Sequence, residues 1–171
     1  MSIGNDLELS SSIQWKQRQN IGDVIILEDG SISYNNTLLS GTGNGQVNSA
    51  FALASGLPSG GVVRFDLFNL TRNIFGHPIA TNFSGGQIKQ FFLKNLSTGN
   101  GHHFMMLGTG VAGYTHLFSY SYLGVELKPQ SYISFNGGRI GHTVTSGDRY
   151  IYLWDCSVSG CRYNIGIFGV I

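Results

Sequence analysis

Glycine is spread through this chain at short, irregular intervals, and this spacing constrains the fold more than any other feature. The 171 residues include 25 glycines and only three prolines, and the glycines have no fixed period. Glycine suits tight turns but weakens the interior of a helix. Between the glycines, apolar and polar residues alternate with the period of two that is typical of strands. The sequence therefore predicts an all-β fold.

The alternating segments are short and bounded by turn sequences. The clearest turns are Glu28-Asp29-Gly30, Ser59-Gly60-Gly61, Ser84-Gly85-Gly86, Thr98-Gly99-Asn100-Gly101, Asn136-Gly137-Gly138 and Ser146-Gly147-Asp148. The predicted strands are 7–15, 23–27, 31–38, 49–54, 61–67, 87–93, 102–107, 115–122, 125–127, 132–135, 149–154 and 163–168. About ten to twelve short strands of this kind are typical of a β-sandwich or a jelly roll.

The first 45 residues differ from the rest of the chain. They contain the charged cluster Lys16-Gln17-Arg18 and end in a polar, glycine-rich stretch, Ser40–Gln46. In one interpretation, residues 1–45 form an N-terminal arm or strand pair ahead of a sandwich domain at 46–171, with Trp15, Lys16 and Arg18 as candidate anchor residues. In the other, they supply the first strands of the same sandwich.

Low charge limits the classes of function that this chain can have. Charged residues make up 11% of the sequence, and the net charge is +1. Binding to nucleic acid depends on a positive field, which this composition does not supply. No apolar stretch is long enough to span a membrane, and the first residues do not resemble a secretion signal. We therefore expect no nucleic-acid or membrane partner, and synthesis in a cytoplasm.

No motif indicates an enzyme. The chain has no G-x-S-x-G nucleophile motif and no phosphate-binding loop, and no pair of its nine acidic residues stands out as catalytic. Metal sites need ligands at converging positions, whereas the histidines are scattered and form neither HxH nor HExxH. We therefore predict no catalytic residue, metal or cofactor. The histidines are His77, His102, His103, His116 and His142.

The two cysteines, Cys156 and Cys161, flank Ser-Val-Ser-Gly between two predicted strands. Facing positions across such a hairpin would allow a disulfide. A cytoplasmic origin favours thiols instead. Both alternatives stay open at this point.

Aromatic residues are concentrated near the middle of the chain, at Tyr114, Phe118, Tyr120 and Tyr122. The last three would share one face of a strand. Such a row usually belongs to a core or a subunit interface. It could also stack on sugar rings, so these residues are candidate interface or glycan contacts.

Several segments taken in order carry a resemblance to a known group of proteins. They are Leu39–Phe51, Val63–Leu70, Ile88–Ser97 and Tyr163–Gly169. They resemble a family of small phage and prophage virion proteins, in which an early GTG-x-x-Q segment is followed by an apolar-x-K-N-x-S strand and a closing strand that ends in glycine. The resemblance covers most of the chain from about residue 38.

The resemblance implies a bacteriophage structural protein located in the virion, either a capsid decoration (cement) protein or a head-fibre subunit. Its expected partners are copies of itself, as a homotrimer, and phage capsid or tail proteins. The N-terminal arm would then attach the subunit to the particle. The alternative is a tail-associated module that binds a receptor or host glycan.

Overall fold

A computed structural model describes residues 7–21, 24–44, 46–74, 77–99, 104–107, 124–138, 140–155 and 160–171. In these ranges the chain forms strands, turns and bends but no helix, which confirms the all-β prediction. Among these residues there is accordingly no helix long and apolar enough to cross a membrane.

The described residues form fourteen strands, somewhat more than predicted. In chain order they are β1 (Leu7–Ile21), β2 (Val24–Ser40), β3 (Gln46–Val47), β4 (Ser49–Leu57), β5 (Val62–Asp66), β6 (Leu70–Ile74), β7 (His77–Thr81), β8 (Gln87–Asn95), β9 (Phe104–Leu107), β10 (Gly124–Leu127), β11 (Tyr132–Asn136), β12 (His142–Thr143), β13 (Tyr150–Asp155) and β14 (Cys161–Val170).

Eight of these strands form two facing sheets with jelly-roll connectivity. One sheet has the order β11-β8-β14-β4, with β12 also paired to β8, and the other has the order β10-β9-β13-β5. Taken in chain order, the first of the eight pairs with the last, the second with the seventh, the third with the sixth and the fourth with the fifth, all antiparallel. This nested pairing is a hairpin rolled up on itself, the arrangement of a double-sheet jelly roll.

The core lies between the two sheets and follows the alternation of each strand. In β14, Tyr163, Ile165 and Ile167 are buried, and their alternate neighbours point away from the core. The ring of Phe65, from the second sheet, packs edge-on against Tyr163 and at a steep angle against Phe51, with centroids 6.0 and 6.3 Å apart. Side chains from both inner faces therefore interdigitate, as in other sandwiches.

Strands β1 and β2 form a long antiparallel ribbon outside the two sandwich sheets. They pair continuously from Leu7 opposite Leu38 to Ile21 opposite Val24. The predicted turn at 28–30 is wrong, because β2 runs straight through it. Lys16 stands opposite Asp29 in this register. Continuous backbone pairing with β1 on both sides of this sequence overrides the turn preference of Asp-Gly.

Asn48 connects the base of this ribbon to the sandwich. β3 pairs with β2, and Asn48 follows it directly in the chain. The side-chain amide of Asn48 donates to the carbonyl oxygen of Ile171 at 3.1 Å, and the backbone N–H of Ile171 donates back to Asn48 Oδ1 at 3.0 Å. Its own backbone N–H donates to Gly169 O at 3.0 Å. The division of the chain into 1–45 and 46–171 as separate domains stays a prediction.

Candidate functional site

A row of three aromatic side chains lies on the outer surface of the second sheet. In β13, Ile151 and Leu153 point into the core, so the alternate residues Tyr150, Tyr152 and Trp154 point outward. The ring centroids of Tyr150 and Tyr152 are 6.2 Å apart. Trp154 is 45% exposed.

The adjacent edge strand β5 completes this surface. Val62 stands opposite Trp154, Arg64 opposite Tyr152, and Asp66 opposite Tyr150. Val62 and Arg64 are exposed. We call the surface made by these residues and the three aromatic side chains the aromatic face.

Two arginines pack against the first ring of the aromatic face. The guanidinium carbon atoms of Arg64 and Arg149 lie 4.5 and 4.6 Å from the centroid of the Tyr150 ring. Arg149 also lies 4.9 Å from the Phe68 ring and forms an ion pair with Asp66, Nε to Oδ1 3.5 Å. Its guanidinium donates to the Tyr150 hydroxyl, and this bond is the main reason that the pKa of Arg149 is raised. The arrangement holds both cations at one end of the aromatic row.

A shallow apolar groove lies on the outer face of the other sheet. Ala52, Gly166 and Phe92 come from three adjacent strands at the same register position. The small side chain of Ala52 and the absence of one at Gly166 leave a depression of about 470 Å³, which Phe92 borders. The ring of Phe168 lies so close over Gly166 that a Cβ there would meet it at 2.9 Å. We call this surface the small-residue groove.

The register of β1 and β2 places most of the large apolar residues of the ribbon at positions on one face, because cross-strand partners lie on the same face. Ile13 stands opposite Ile32, whereas Ser12 stands opposite Ser33. The face that contains Ile13, here called the apolar ribbon face, also holds Leu7, Leu9, Trp15, Ile21, Val24, Ile26, Ile32, Tyr34 and Leu38. On the other face, only Ile25 and Leu27 among the paired residues are large and apolar.

Two buried polar side chains of the sandwich, Lys89 and Cys161, form hydrogen bonds. The Lys89 amine lies 3.0 Å from Gln87 Oε1 and also donates to the carbonyl oxygen of Ile140, and burial lowers its pKa. Cys161 Sγ lies 3.2 Å from Asp155 Oδ1 as a donor. In the described part of the chain, no three His, Cys, Asp or Glu side chains are grouped so that they could hold a metal ion.

Some of the site residues predicted from the sequence lie in the part of the chain that the structure describes, and others lie outside it. Trp15 lies on the apolar ribbon face, and Lys16 and Arg18 lie on the opposite face. Their role as an anchor stays a prediction. The four aromatic candidates at 114, 118, 120 and 122 lie outside the described residues. So does Cys156, which leaves the choice between a disulfide and two thiols open.

The aromatic face was missed in the sequence, although a signal for it is present. Strand 149–154 was predicted, and its three aromatic residues occur at period two. The sequence does not state directly which side of the strand faces the core. Ile151 and Leu153 alternate with the aromatic residues, and aliphatic side chains are more often fully buried, so this alternation predicts that the aromatic side chains point outward.

No protein-family model matches this chain, and no curated protein matches it.

Proposed function

We propose that this protein is a structural subunit of a bacteriophage particle, a capsid decoration or head-fibre protein that acts by non-covalent assembly and without catalysis. Its partners in this proposal are two further copies of the chain, forming a homotrimer, and the capsid or tail protein to which the trimer attaches. The sequence resemblance supports a virion role. The observation that carries the proposal is the two-faced register of the β1–β2 ribbon.

A two-stranded ribbon with one apolar face requires a covering surface. The paired part of each strand covers 15 residues, Leu7–Ile21 and 24–38, which corresponds to about 50 Å of extended chain. An isolated hairpin is at best marginally stable in water. Burial of the apolar ribbon face against neighbouring subunits removes that surface from water. The same burial would therefore stabilise both the ribbon and the assembly.

The small-residue groove supports the same proposal. Ala52 and Gly166 allow close approach of another backbone, and Phe92 and Phe168 supply apolar area around them. The low overall charge favours such contacts, because few charged groups would lose their hydration when subunits pack together. Closed symmetry would repeat each contact around the trimer, and this repetition multiplies weak interactions into a stable assembly.

The native mass of the purified protein, alone and mixed with empty capsids of the phage that encodes it, tests the proposal. We expect a trimer that sediments with the capsids. Ile13→Asp introduces a charge on the apolar ribbon face and should abolish both the trimer and the co-sedimentation. Ser12→Asp is the matched control, because it introduces the same charge on the polar face one residue away, and it should leave both unchanged.

Two results would contradict the proposal. One is a monomer that sediments with neither capsids nor tails. The other is equal behaviour of Ile13→Asp and Ser12→Asp. Thermal unfolding of each variant shows whether the jelly roll itself is intact, so that a folding failure is not mistaken for a failure of assembly.

A further inference from the structure

We infer that the aromatic face on β5 and β13 is a binding site for an acidic glycan, a chain of pyranose sugars in which one residue carries a carboxylate. In this assignment, Trp154 provides the stacking surface and Arg64 binds the carboxylate. The inference is independent of the place of the protein in a phage particle, since it concerns the surface of one sheet.

The aromatic side chains have the placement that stacking on a sugar requires. Trp154 is 45% exposed although it stands on a regular strand, and its neighbour across the sheet, Val62, is 61% exposed. The backbone beneath them is held by pairing of β13 to β5 on one side and to β9 on the other. A large amphipathic ring on a rigid sheet can bind a ligand with little loss of conformational entropy.

Charge selects an acidic ligand over a neutral one. Arg149 is neutralised by its ion pair with Asp66, 3.5 Å from Nε to Oδ1. Arg64, whose backbone is opposite Tyr152 and whose guanidinium lies over the Tyr150 ring, forms no ion pair with any carboxylate of the described residues. Its planar guanidinium rests on the Tyr150 ring at 4.5 Å, which holds it in place and leaves its N–H groups available to an incoming anion.

The small number of cations on the aromatic face argues against nucleic acid as its ligand. A strand of nucleic acid brings one phosphate for every nucleotide, and binding to it depends on a series of cations along the groove. Among the described residues, the aromatic face has one cation that no carboxylate balances, so it matches a ligand with one isolated negative charge. Hydroxyl groups of the sugar can in turn bond to the hydroxyl of Tyr152, a half-buried residue that stands opposite Arg64.

Calorimetric titration of the whole protein with 3′-sialyllactose, aldotriouronic acid (xylobiose carrying one glucuronic acid) and lactose tests the inference. The first two probes carry the carboxylate on different sugars, and lactose is the neutral part of the first. We expect at least one acidic probe to bind at least about tenfold more tightly than lactose, the effect of one charge-assisted hydrogen bond. Which acidic probe binds more tightly identifies the source of the carboxylate.

Variants then assign the two roles. Arg64→Gln should remove the preference for the acidic probe, and Trp154→Ala should weaken binding of every probe by about tenfold or more. Tyr132→Ala is the matched control, because Tyr132 is an aromatic residue on the other sheet that is even more accessible, 60% exposed. It should bind like the wild type. All three positions are exposed, so the variants are expected to fold, which circular dichroism checks.

Several outcomes would overturn the inference. They are no binding of either acidic probe at millimolar concentration, an unchanged preference in Arg64→Gln, and tighter binding of an oligothymidine of eight nucleotides than of both acidic sugars. A loss of native trimer mass in Trp154→Ala, without any sugar binding by the wild type, would instead identify the aromatic face as a contact between subunits. None of these outcomes bears on the response of the ribbon variants, so the two proposals can fail separately.

Discussion

The side-chain amide of Asn95, in β8, donates a hydrogen bond to the backbone carbonyl of Leu127, in β10, with 2.9 Å between Nδ2 and O. The two residues belong to different sheets, so this bond crosses the sandwich. Asn95 is fully buried, and its Oδ1 also accepts from the backbone N–H of Ser97 at 2.9 Å. One side chain thus satisfies backbone groups on both sides of the core.

Replacement of Asn95 by alanine should destabilise the fold. The buried carbonyl of Leu127 and the N–H of Ser97 would lose their partner, which costs about 2 to 3 kcal/mol of unfolding free energy. Thermal unfolding should then show a Tm lower by about 4 to 12 °C for a chain of this size. Asn73→Ala, at an exposed position of β6, is the matched control and should change Tm little. Equal effects of the two variants would contradict the role of the inter-sheet bond.

Gly169 is required by the close approach of two strands. A Cβ at this position would lie 2.1 Å from the backbone oxygen of Gln87, which cannot move away within the sheet. Gly169→Ala should therefore lower the unfolding free energy by about 1 to 3 kcal/mol. At Gly147 a Cβ would meet no atom within 4 Å. Denaturant titration of Gly147→Ala should give a value within about 0.5 kcal/mol of the wild type.

Tyr163 should make stability fall at high pH. Burial raises the pKa of its phenol above the ordinary value of 10.0, and a hydrogen bond with Ser55 partly opposes the rise. Above that value the unfolded chain loses the proton before the native protein does, so the unfolding free energy decreases as pH rises, by at most about 1.4 kcal/mol per pH unit. Below pH 10 this contribution is fully present.

Denaturant titrations of Tyr163→Phe between pH 8 and 11.5 isolate this effect. The variant cannot ionise at residue 163, and its stability should fall less steeply above pH 10 than that of the wild type. Tyr132→Phe removes a hydroxyl from an exposed ring and controls for that change alone. Parallel curves for wild type and Tyr163→Phe would show that the phenol does not contribute.

The small-residue groove should not tolerate a charge if it packs against another subunit. Ala52→Lys places an amine at an exposed position of the groove, so the monomer itself should fold normally. We expect the native mass to shift toward the monomer, because the amine would lose its hydration in an apolar contact. Thr71→Lys, on the exposed side of β6, adds the same charge elsewhere. A trimer in both variants would exclude the groove from the interface.

Local pattern alone was sufficient for the class of fold. Eight of the predicted strands correspond to the eight strands of the jelly roll, since period-two alternation is set by which side of each strand meets the core. The closing strand β14 contains Gly169 near its end. The physical reason for a glycine there, the backbone oxygen of Gln87 only 2.1 Å from a Cβ at this position, involves a residue more than eighty positions away, and no local pattern contains it.

The order of strands and the composition of the surface sites depend on contacts between distant parts of the chain. The sequence by itself determined that the chain is all-β, that charge is scarce and that short strands alternate with turns, because each of these properties depends on neighbouring residues. Only the tertiary structure decided that β4 pairs with β14, that β2 continues through Glu28-Asp29-Gly30, and that Arg64 lies beside Tyr150. Pairing energy between strands overrides a local turn preference, and the position of a side chain on a surface follows from which strands become neighbours.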